Sequence, residues 1–338
     1  MKLSLFPYQL EFKYPFRIAH GIRTHTDVVY VKLEHEGFIC WGEASLPPYL
    51  KETQQSVITF LQNFEKAVSS NNINDWIEKL KSEKNNMPAK AALDMTLWQL
   101  RAQLENKSIG QLLNIEETNN THANCFYTIG ACEKNEMAIK IKDGLSYSFE
   151  LFKLKLKGTK EDYNIVNDFV SFCDKPFGVD MNCAYTDVTE AADFIDFVKA
   201  KGAFVIEQPM AKQMLVETKV LKEKTKTVLY ADESCQRLND LEKAAECFGG
   251  VNIKLMKCGG ITEAHQMLLR AKELGFKTLI GCMSESSVGC TAAAQLAPLA
   301  DWLDLDGPYL ISNNPFKGIK IKEGKLALYP LQQIQNLT

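Results

Sequence analysis

The chain is poor in histidine. Its five residues of that type (His20, His25, His35, His122 and His265) stand far apart with no ligand-like spacing, which argues against zinc. No stretch approaches the ~20 consecutive apolar residues that a membrane-spanning helix needs. Net charge is only −3, so no basic field exists for nucleic acid or an anionic membrane, and neither is an expected partner. CxxC pairs are missing too. The ten cysteines are scattered, mostly in apolar surroundings, and read as reduced, buried thiols of a cytoplasmic protein. The opening segment, MKLSLFPYQLEFKY, alternates apolar and polar residues without the apolar run of a signal peptide, and is expected to be a strand.

What is present is enough material for a large core, with 46% hydrophobic and 24% charged residues. A length of 338 residues fits two domains, or one barrel with an extension. KLSLFPYQLEFKY and DVVYVKLEHEGFICWGEA read as antiparallel strands with a turn at Glu36-Gly37. Between them PFRIAHGIRTHT, which contains Arg23, reads as a polar loop. A second loop, ASLPPYLKET, is stiffened by Pro47-Pro48 and projects Tyr49. From about 54 to 113 the period becomes helical. Pro88 sits in a first turn, and Ala91, Leu93, Leu97, Leu100 and Leu104 share one face. A linker is expected around Asn119-Asn120.

From Asn124 onward, short apolar runs recur: CFYTIG, FKLKLKG, GVDMN, FVIEQP, VLYADES, VNIKLM, TLIGCM and WLDLDGP. Helical patterns, such as 190–201 and 262–274, separate them. Eight alternating units favour a closed barrel over a doubly wound open sheet. GIKIKEGKLAL then reads as a hairpin around Glu323-Gly324, returning to the N-terminal strands. The expected fold is therefore α/β: a (β/α)7β TIM-like barrel over 118–309, capped by a discontinuous α+β domain from 1–117 and 310–338.

In such barrels the active site lies at the C-terminal ends of the strands. Those ends carry Thr128, Lys153 and Lys155, Asp180 and Asn182, Glu207, Asp232, Lys254, Cys282 to Glu285, and Asp304 with Asp306. One acid at a strand–helix junction often caps the next helix. Asp180, Glu207 and Asp232, from three successive strands, instead offer a hard oxygen set suited to Mg2+ or Mn2+. Lys254 interrupts an apolar run, where an ammonium needs partners or a chemical role. KLKLK places Lys153, Lys155 and Lys157 on one face, which a barrel turns inward. At an effective dielectric of ~20, two ammoniums ~5 Å apart repel by roughly 3 kcal/mol. That repulsion draws Lys155 from ~10.4 towards the 7–8 useful in a general base. Lys155 and Lys254 come from the second and sixth barrel strands, so they face each other across the mouth, with the metal site between them.

These residues resemble the enolase superfamily, in its muconate-lactonizing-enzyme-like branch and most closely the dipeptide epimerases, over essentially the whole chain. Lys153 and Lys155 match the K-x-K pair. Asp180, Glu207 and Asp232 match the metal ligands, and NIKLMKCGG matches the second base at Lys254, not Lys257. The resemblance implies that Lys153 contacts a substrate carboxylate, and that Lys155 and Lys254 are the two catalytic bases. It further implies that Asp304 and Asp306, in DLDG, hold the substrate α-ammonium and that Thr128 and Cys282 border the substrate. Arg23 resembles the loop arginine that meets an acidic side chain. The tail LYPLQQIQNLT lacks the Pro-Gly-Leu-Gly-like ending of the family, so its packing stays open.

The implied activity is a Mg2+-dependent (or Mn2+-dependent) 1,1-proton transfer at the α-carbon of the C-terminal residue of a dipeptide. An L-Ala-D/L-Glu substrate from murein peptide recycling is the leading candidate. o-Succinylbenzoate synthase, muconate cycloisomerase and N-succinylamino acid racemase are the alternatives within the fold. A non-catalytic, metal-dependent dipeptide-binding barrel is the alternative outside it. A homo-oligomer is compatible with the sequence.

Overall fold

A computed structural model of the protein describes residues 1–18, 21–68, 70–115 and 124–337. The linker expected near Asn119-Asn120, and the expected boundary at 117/118, lie outside the described residues.

The chain begins with three antiparallel strands, β1 (Lys2–Ile18), β2 (Gly21–His35) and β3 (Phe38–Ser45), in that order. Glu36 and Gly37, with φ of 49 and 84, make the tight turn between β2 and β3. The segment expected as a polar loop around Arg23 is instead the far end of the β1–β2 hairpin. Pairing shifts between Glu11 and Phe16, then resumes with Phe16 opposite Arg23 and Ile18 opposite Gly21. A bulge absorbs the extra residues, and the β-branched run Ile22, Thr24, Thr26 favours extended backbone beyond it.

Behind the sheet pack α1 (Gln54–Ala67), α2 (Ile73–Ser82) and α3 (Met87–Glu105). Thr53 and Ser56 close a capping box on α1. Asn86 caps α3 by accepting from the Ala89 N–H, and Pro88 lies in its first turn as expected. α3 is buried on every side from Pro88 to Leu97 because it is sandwiched between sheet and barrel. Leu104, expected on the buried face, is 39% exposed, since the last turn runs past both neighbours. β3 lies so close to α3 that a Cβ at Gly42 would stand 1.9 Å from the Ala92 carbonyl oxygen.

The barrel strands are β4 (Phe126–Ile129), β5 (Leu151–Lys155), β6 (Phe177–Asp180), β7 (Ala203–Glu207), β8 (Leu229–Ala231), β9 (Gly250–Lys254), β10 (Lys277–Gly281) and β11 (Trp302–Asp304). All run parallel in sequential order, and a bridge from Cys125 to Leu303 closes the ring. Helices connect each strand to the next, among them Val188–Ala200 and Ile261–Glu273, where the periodicity placed them. Alternate residues point inward. Phe126, Leu151, Val205, Tyr230 and Leu279 form an apolar plug inside the barrel, and one pleat further along every inward position is polar or glycine. The plug closes the bottom, and the polar layer becomes the floor of the site.

The hairpin around Glu323-Gly324 forms, but seats on the barrel rather than on the N-terminal sheet. Cys125 donates its N–H to the Gly324 carbonyl, and Gly324 donates to Ser148. Ile319, Ile321 and Leu326 join the barrel core because that end of the barrel has apolar surface to cover. The segments on either side do reach the N-terminal sheet: Ile311, Phe316, Leu331 and Leu337 pack with Leu10, Val28, Tyr30 and Trp41. A further joint is polar. The buried Glu43 carboxylate of β3 accepts from the Ser286 N–H, the Ser286 hydroxyl and the Gly289 N–H. No helix among the described residues is long and apolar enough to cross a membrane.

Gly42→Ala forces its methyl into the α3 backbone and is expected to destabilise the protein by ~2 kcal/mol or more in urea unfolding. A wild-type midpoint would contradict this packing.

Candidate active site

Three carboxylates meet at the mouth of the barrel. Asp180 and Glu207 end β6 and β7, and Asp232 directly follows β8. All three are buried, and each offers an oxygen within 4.8 Å of the others. Like charges ~5 Å apart repel by roughly 3 kcal/mol at an effective dielectric of ~20, so such a trio requires cations. Lysines supply them. Lys155 Nζ donates to Asp180 Oδ2, Lys153 to Glu207 Oε2 at 3.1 Å and to Asp304, and Lys254 to Asp232 Oδ2 at 2.7 Å.

The remaining oxygens are also held. Asp180 Oδ1 accepts from the Asn182 N–H at 3.0 Å, Glu207 Oε1 from Asn252 Nδ2 at 2.7 Å, and Asp232 Oδ1 from Lys257 Nζ at 2.6 Å. Burial alone would raise all three acids. For Asp232, Lys254 and Lys257 outweigh burial and hold it below the usual range. Asp180 is lowered by Lys155 and Lys153 against burial, whereas burial and the neighbouring Asp180 leave Glu207 raised. Burial opposes the charge on Lys254, but Asp232, followed by Tyr49, holds its ammonium well above the ordinary lysine value.

This corrects one expectation. Lys153 and Lys155 do not act on each other as bare like charges, because each faces its own carboxylates. Lys153 is wholly buried below the floor, between Glu207 and Asp304, and takes no part in the cavity lining. The donor set fits a hard divalent cation such as Mg2+ or Mn2+: it is all oxygen, and it already concentrates cationic groups. The buried oxygens Asn182 Oδ1 and Glu233 Oε2 beside it have no hydrogen-bond partner.

Above the trio lies a cavity of about 650 Å³. Lys155 and Lys254 both line it, and three carboxylate-bearing strands, β6 to β8, separate their own strands, β5 and β9. Four steps around an eight-stranded barrel is half the circumference, so the two amines approach the floor from opposite walls.

Thr128, Asp304, Asp306 and Cys282 line a further wall, where β4 meets β11. The Thr128 N–H donates to Asp306 Oδ2, and its hydroxyl donates to Asp304 Oδ1 at 3.2 Å. The two acids differ. Asp304 already holds Lys153, whereas burial and the charge of Asp304 push Asp306 up to about 7. Asp306 is therefore the member left to receive an outside cation.

The β1–β2 hairpin hangs over the mouth and brings Arg23 into the cavity wall, 5.5 Å from the Phe12 ring. Its Nε and Nη1 are buried without a hydrogen-bond partner, and burial lowers the guanidinium, with Tyr49 opposing. Buried guanidinium N–H groups left without an acceptor are costly unless an anion completes them. Tyr49, on the second loop, donates to Met283 Sδ at 3.0 Å and bridges the roof to the far wall.

Sequence reasoning passed over Asn252, and named Lys257 only to set it aside as a base. Asn252 stands two residues before Lys254 on β9, so the strand period places both on one face. For Lys257 no local signal exists, because it lies on a one-turn helix, Leu255–Cys258.

Residues 2–114 match the mandelate racemase / muconate lactonizing enzyme N-terminal domain, and residues 136–306 match the enolase C-terminal domain-like family. An L-Ala-D/L-Glu epimerase of Bacteroides thetaiotaomicron is 38% identical, over 99% of this chain and 87% of its own length. An L-Ala-D/L-amino acid epimerase of Flavobacterium johnsoniae is 34% identical over 96% of each chain. A dipeptide epimerase of Enterococcus faecalis, solved with Mg and L-Leu-L-Tyr, is 28% identical with a TM-score of 0.88, covering 98% of both chains.

Removing the ammonium below the floor strands two buried carboxylates. Lys153→Met is expected to lose about 3–5 kcal/mol of stability, read from urea unfolding. A loss under ~1 kcal/mol, the value of an exposed pair, would show that the pair is not a buried one.

Proposed function

Because the chain belongs to the mandelate racemase / muconate lactonizing enzyme family of the enolase superfamily, we propose that it is a Mg2+-dependent dipeptide epimerase. It inverts the α-carbon of the C-terminal residue by a 1,1-proton transfer. The observation that carries this reading is the pair of lysines, Lys155 and Lys254, on opposite walls above one carboxylate trio. Residues 118–309 act as the catalytic barrel, and 1–117 with 310–338 form the cap. The leading substrate is an Ala-Glu type dipeptide released from murein, handled in the cytoplasm.

Asp180, Glu207 and Asp232 would hold the cation, which supplies positive charge to the substrate carboxylate and so acidifies the neighbouring α-carbon. Lys155 serves one face of that carbon and Lys254 the other. One amine takes a proton while the opposite ammonium returns one, and the roles reverse with substrate configuration. Asp306, with Asp304 and Thr128 beside it, holds the free α-ammonium. Lys153 fixes Asp304 and Glu207 from beneath. Arg23 pairs with the acidic side chain, which gives its buried N–H groups the acceptor they lack.

Rival activities fit less well. The substrates of o-succinylbenzoate synthase, muconate cycloisomerase and N-succinylamino acid racemase carry no free ammonium for Asp306. A purely binding barrel has no use for two opposed amines.

The decisive experiment is exchange in D2O. With Mg2+ and L-Ala-L-Glu, the protein is expected to place deuterium at the Glu α-carbon, followed by mass spectrometry. Lys155→Ala and Lys254→Ala should each reduce epimerisation by ~10²-fold or more while far-UV circular dichroism is unchanged. Turnover above a tenth of wild type in either variant would refute the two-base scheme.

Side-chain preference is separable from the chemistry. Arg23→Met is expected to lower kcat/KM for L-Ala-L-Glu about thirtyfold, equivalent to ~2 kcal/mol for a charged hydrogen-bonded contact, and to leave L-Ala-L-Leu nearly unaffected. Equal losses on both substrates would remove Arg23 from side-chain recognition and leave the reaction assignment standing.

A further inference from the structure

Asp232 is gripped by two lysines in unlike surroundings. Lys254 makes one contact with it, from Nζ to Oδ2 at 2.7 Å, and lines the cavity. Lys257 does not reach the cavity. It is 2% exposed, and its Nζ faces Asp232 Oδ1 at 2.6 Å, the Asp232 carbonyl at 2.8 Å, the Asn252 carbonyl at 2.7 Å and the Cys235 carbonyl at 3.1 Å. An ammonium has three hydrogens to donate, so these acceptors saturate it and leave nothing for a ligand.

The backbone holds Lys257 rigidly in that place. The one-turn helix that carries it ends in Gly259 and Gly260, with φ of 90 and 124, a path that side chains rarely tolerate. A Cβ at Gly260 would stand 2.4 Å from Asp94 Oδ2 of α3, and Asp94 in turn accepts from the Thr262 N–H at 3.0 Å. Asp232 thus has one oxygen tied to a fixed internal donor and one facing a lysine of the cavity. Asp180 repeats the pattern with the Asn182 N–H and Lys155. Glu207 differs, because both its partners, Asn252 and Lys153, lie outside the cavity lining.

We propose that Lys257 is a positioning residue that fixes Asp232 as a metal ligand through Oδ1, reserving Oδ2 for exchange between Lys254 and the divalent cation. The inference rests on the reading of Asp180, Glu207 and Asp232 as a metal centre. With a cation bound at Oδ2, Lys254 would be free to face the substrate while Lys257 kept its place. Without Lys257, Lys254 is the one ammonium among the described residues left paired with Asp232, and it would compete with the cation for that carboxylate.

Mn2+ affinity tests this with opposite signs for the competing explanations. Free Mn2+ is titrated by electron paramagnetic resonance into the purified full-length protein and into Lys257→Met, with circular dichroism confirming the folded state. A positioning role predicts Mn2+ binding weakened about 10–100-fold, as for other lost partners of metal ligands. A staple that serves stability alone lowers the melting temperature and leaves the affinity of the folded protein unchanged. A role through charge alone tightens binding, because a repelling cation has been removed. Unchanged or tighter binding therefore overturns the inference while the metal centre stands. If the wild-type protein binds no Mn2+, the metal-centre reading falls and takes the inference with it.

Should Lys257→Met fail to fold, the wild-type protein answers instead. Formaldehyde and borohydride dimethylation, read by peptide mass spectrometry with and without Mg2+, is expected to label Lys254 more strongly once Mg2+ is added and to leave Lys257 unlabelled throughout. Mg2+-dependent labelling of Lys257, or none of Lys254, would overturn the proposal.

Discussion

Three carboxylates buried within 4.8 Å of one another are the constraint on which this protein is built. Alone they would repel one another out of the barrel. They are kept by lysines: Lys153 and Lys155 from β5 on one side, and Lys254 from β9 with Lys257 from the one-turn helix after it on the other. The balance is local and specific. Each acid has a partner for both oxygens, and the partners that line the cavity differ from those packed behind it. A centre of this kind concentrates cationic charge around its carboxylates.

The barrel makes this economical. The inward pleat that carries the apolar plug of Phe126, Leu151, Val205, Tyr230 and Leu279 carries the polar floor one step further along. Water is excluded beneath the charges, which strengthens every ion pair above. Small residues make room: a Cβ at Gly281 would meet Asn252 Oδ1 at 2.5 Å, so Asn252 reaches Glu207 only because that strand ends in glycine. Above, the N-terminal hairpin and the loop bearing Tyr49 supply the roof, into which Arg23 brings buried N–H groups that lack an acceptor. In the proposed reading, chemistry resides in the strand ends and selectivity in the overhanging segments, so one floor would serve different dipeptides as the roof changes.

Local patterns in the sequence carry much of the fold and part of the site. The eight apolar runs and intervening helical periods indicate a parallel barrel because each strand and helix is short and strongly patterned. The alternation of KLKLK and the lone charge in VNIKLM place lysines on inward faces, since the strand period is two. Carboxylates at the ends of three successive strands stand out for the same reason. These features depend on neighbours in sequence, and a single chain displays them without its coordinates.

The rest was decided by closure. Which acid each lysine meets depends on β11 returning beside β4, which delivers Asp304 to Lys153 and leaves Asp306 apart with Thr128. The hairpin end around Arg23 resembles a loop in sequence, because the bulge that extends it is a property of pairing between strands. Lys257 carries no local mark at all, since its four acceptors come from three separate places in the chain. Periodicities and the charges at the strand ends are legible in the order of residues alone. How those charges pair is not, because pairing energies depend on distance and burial, and neither exists until the barrel has closed.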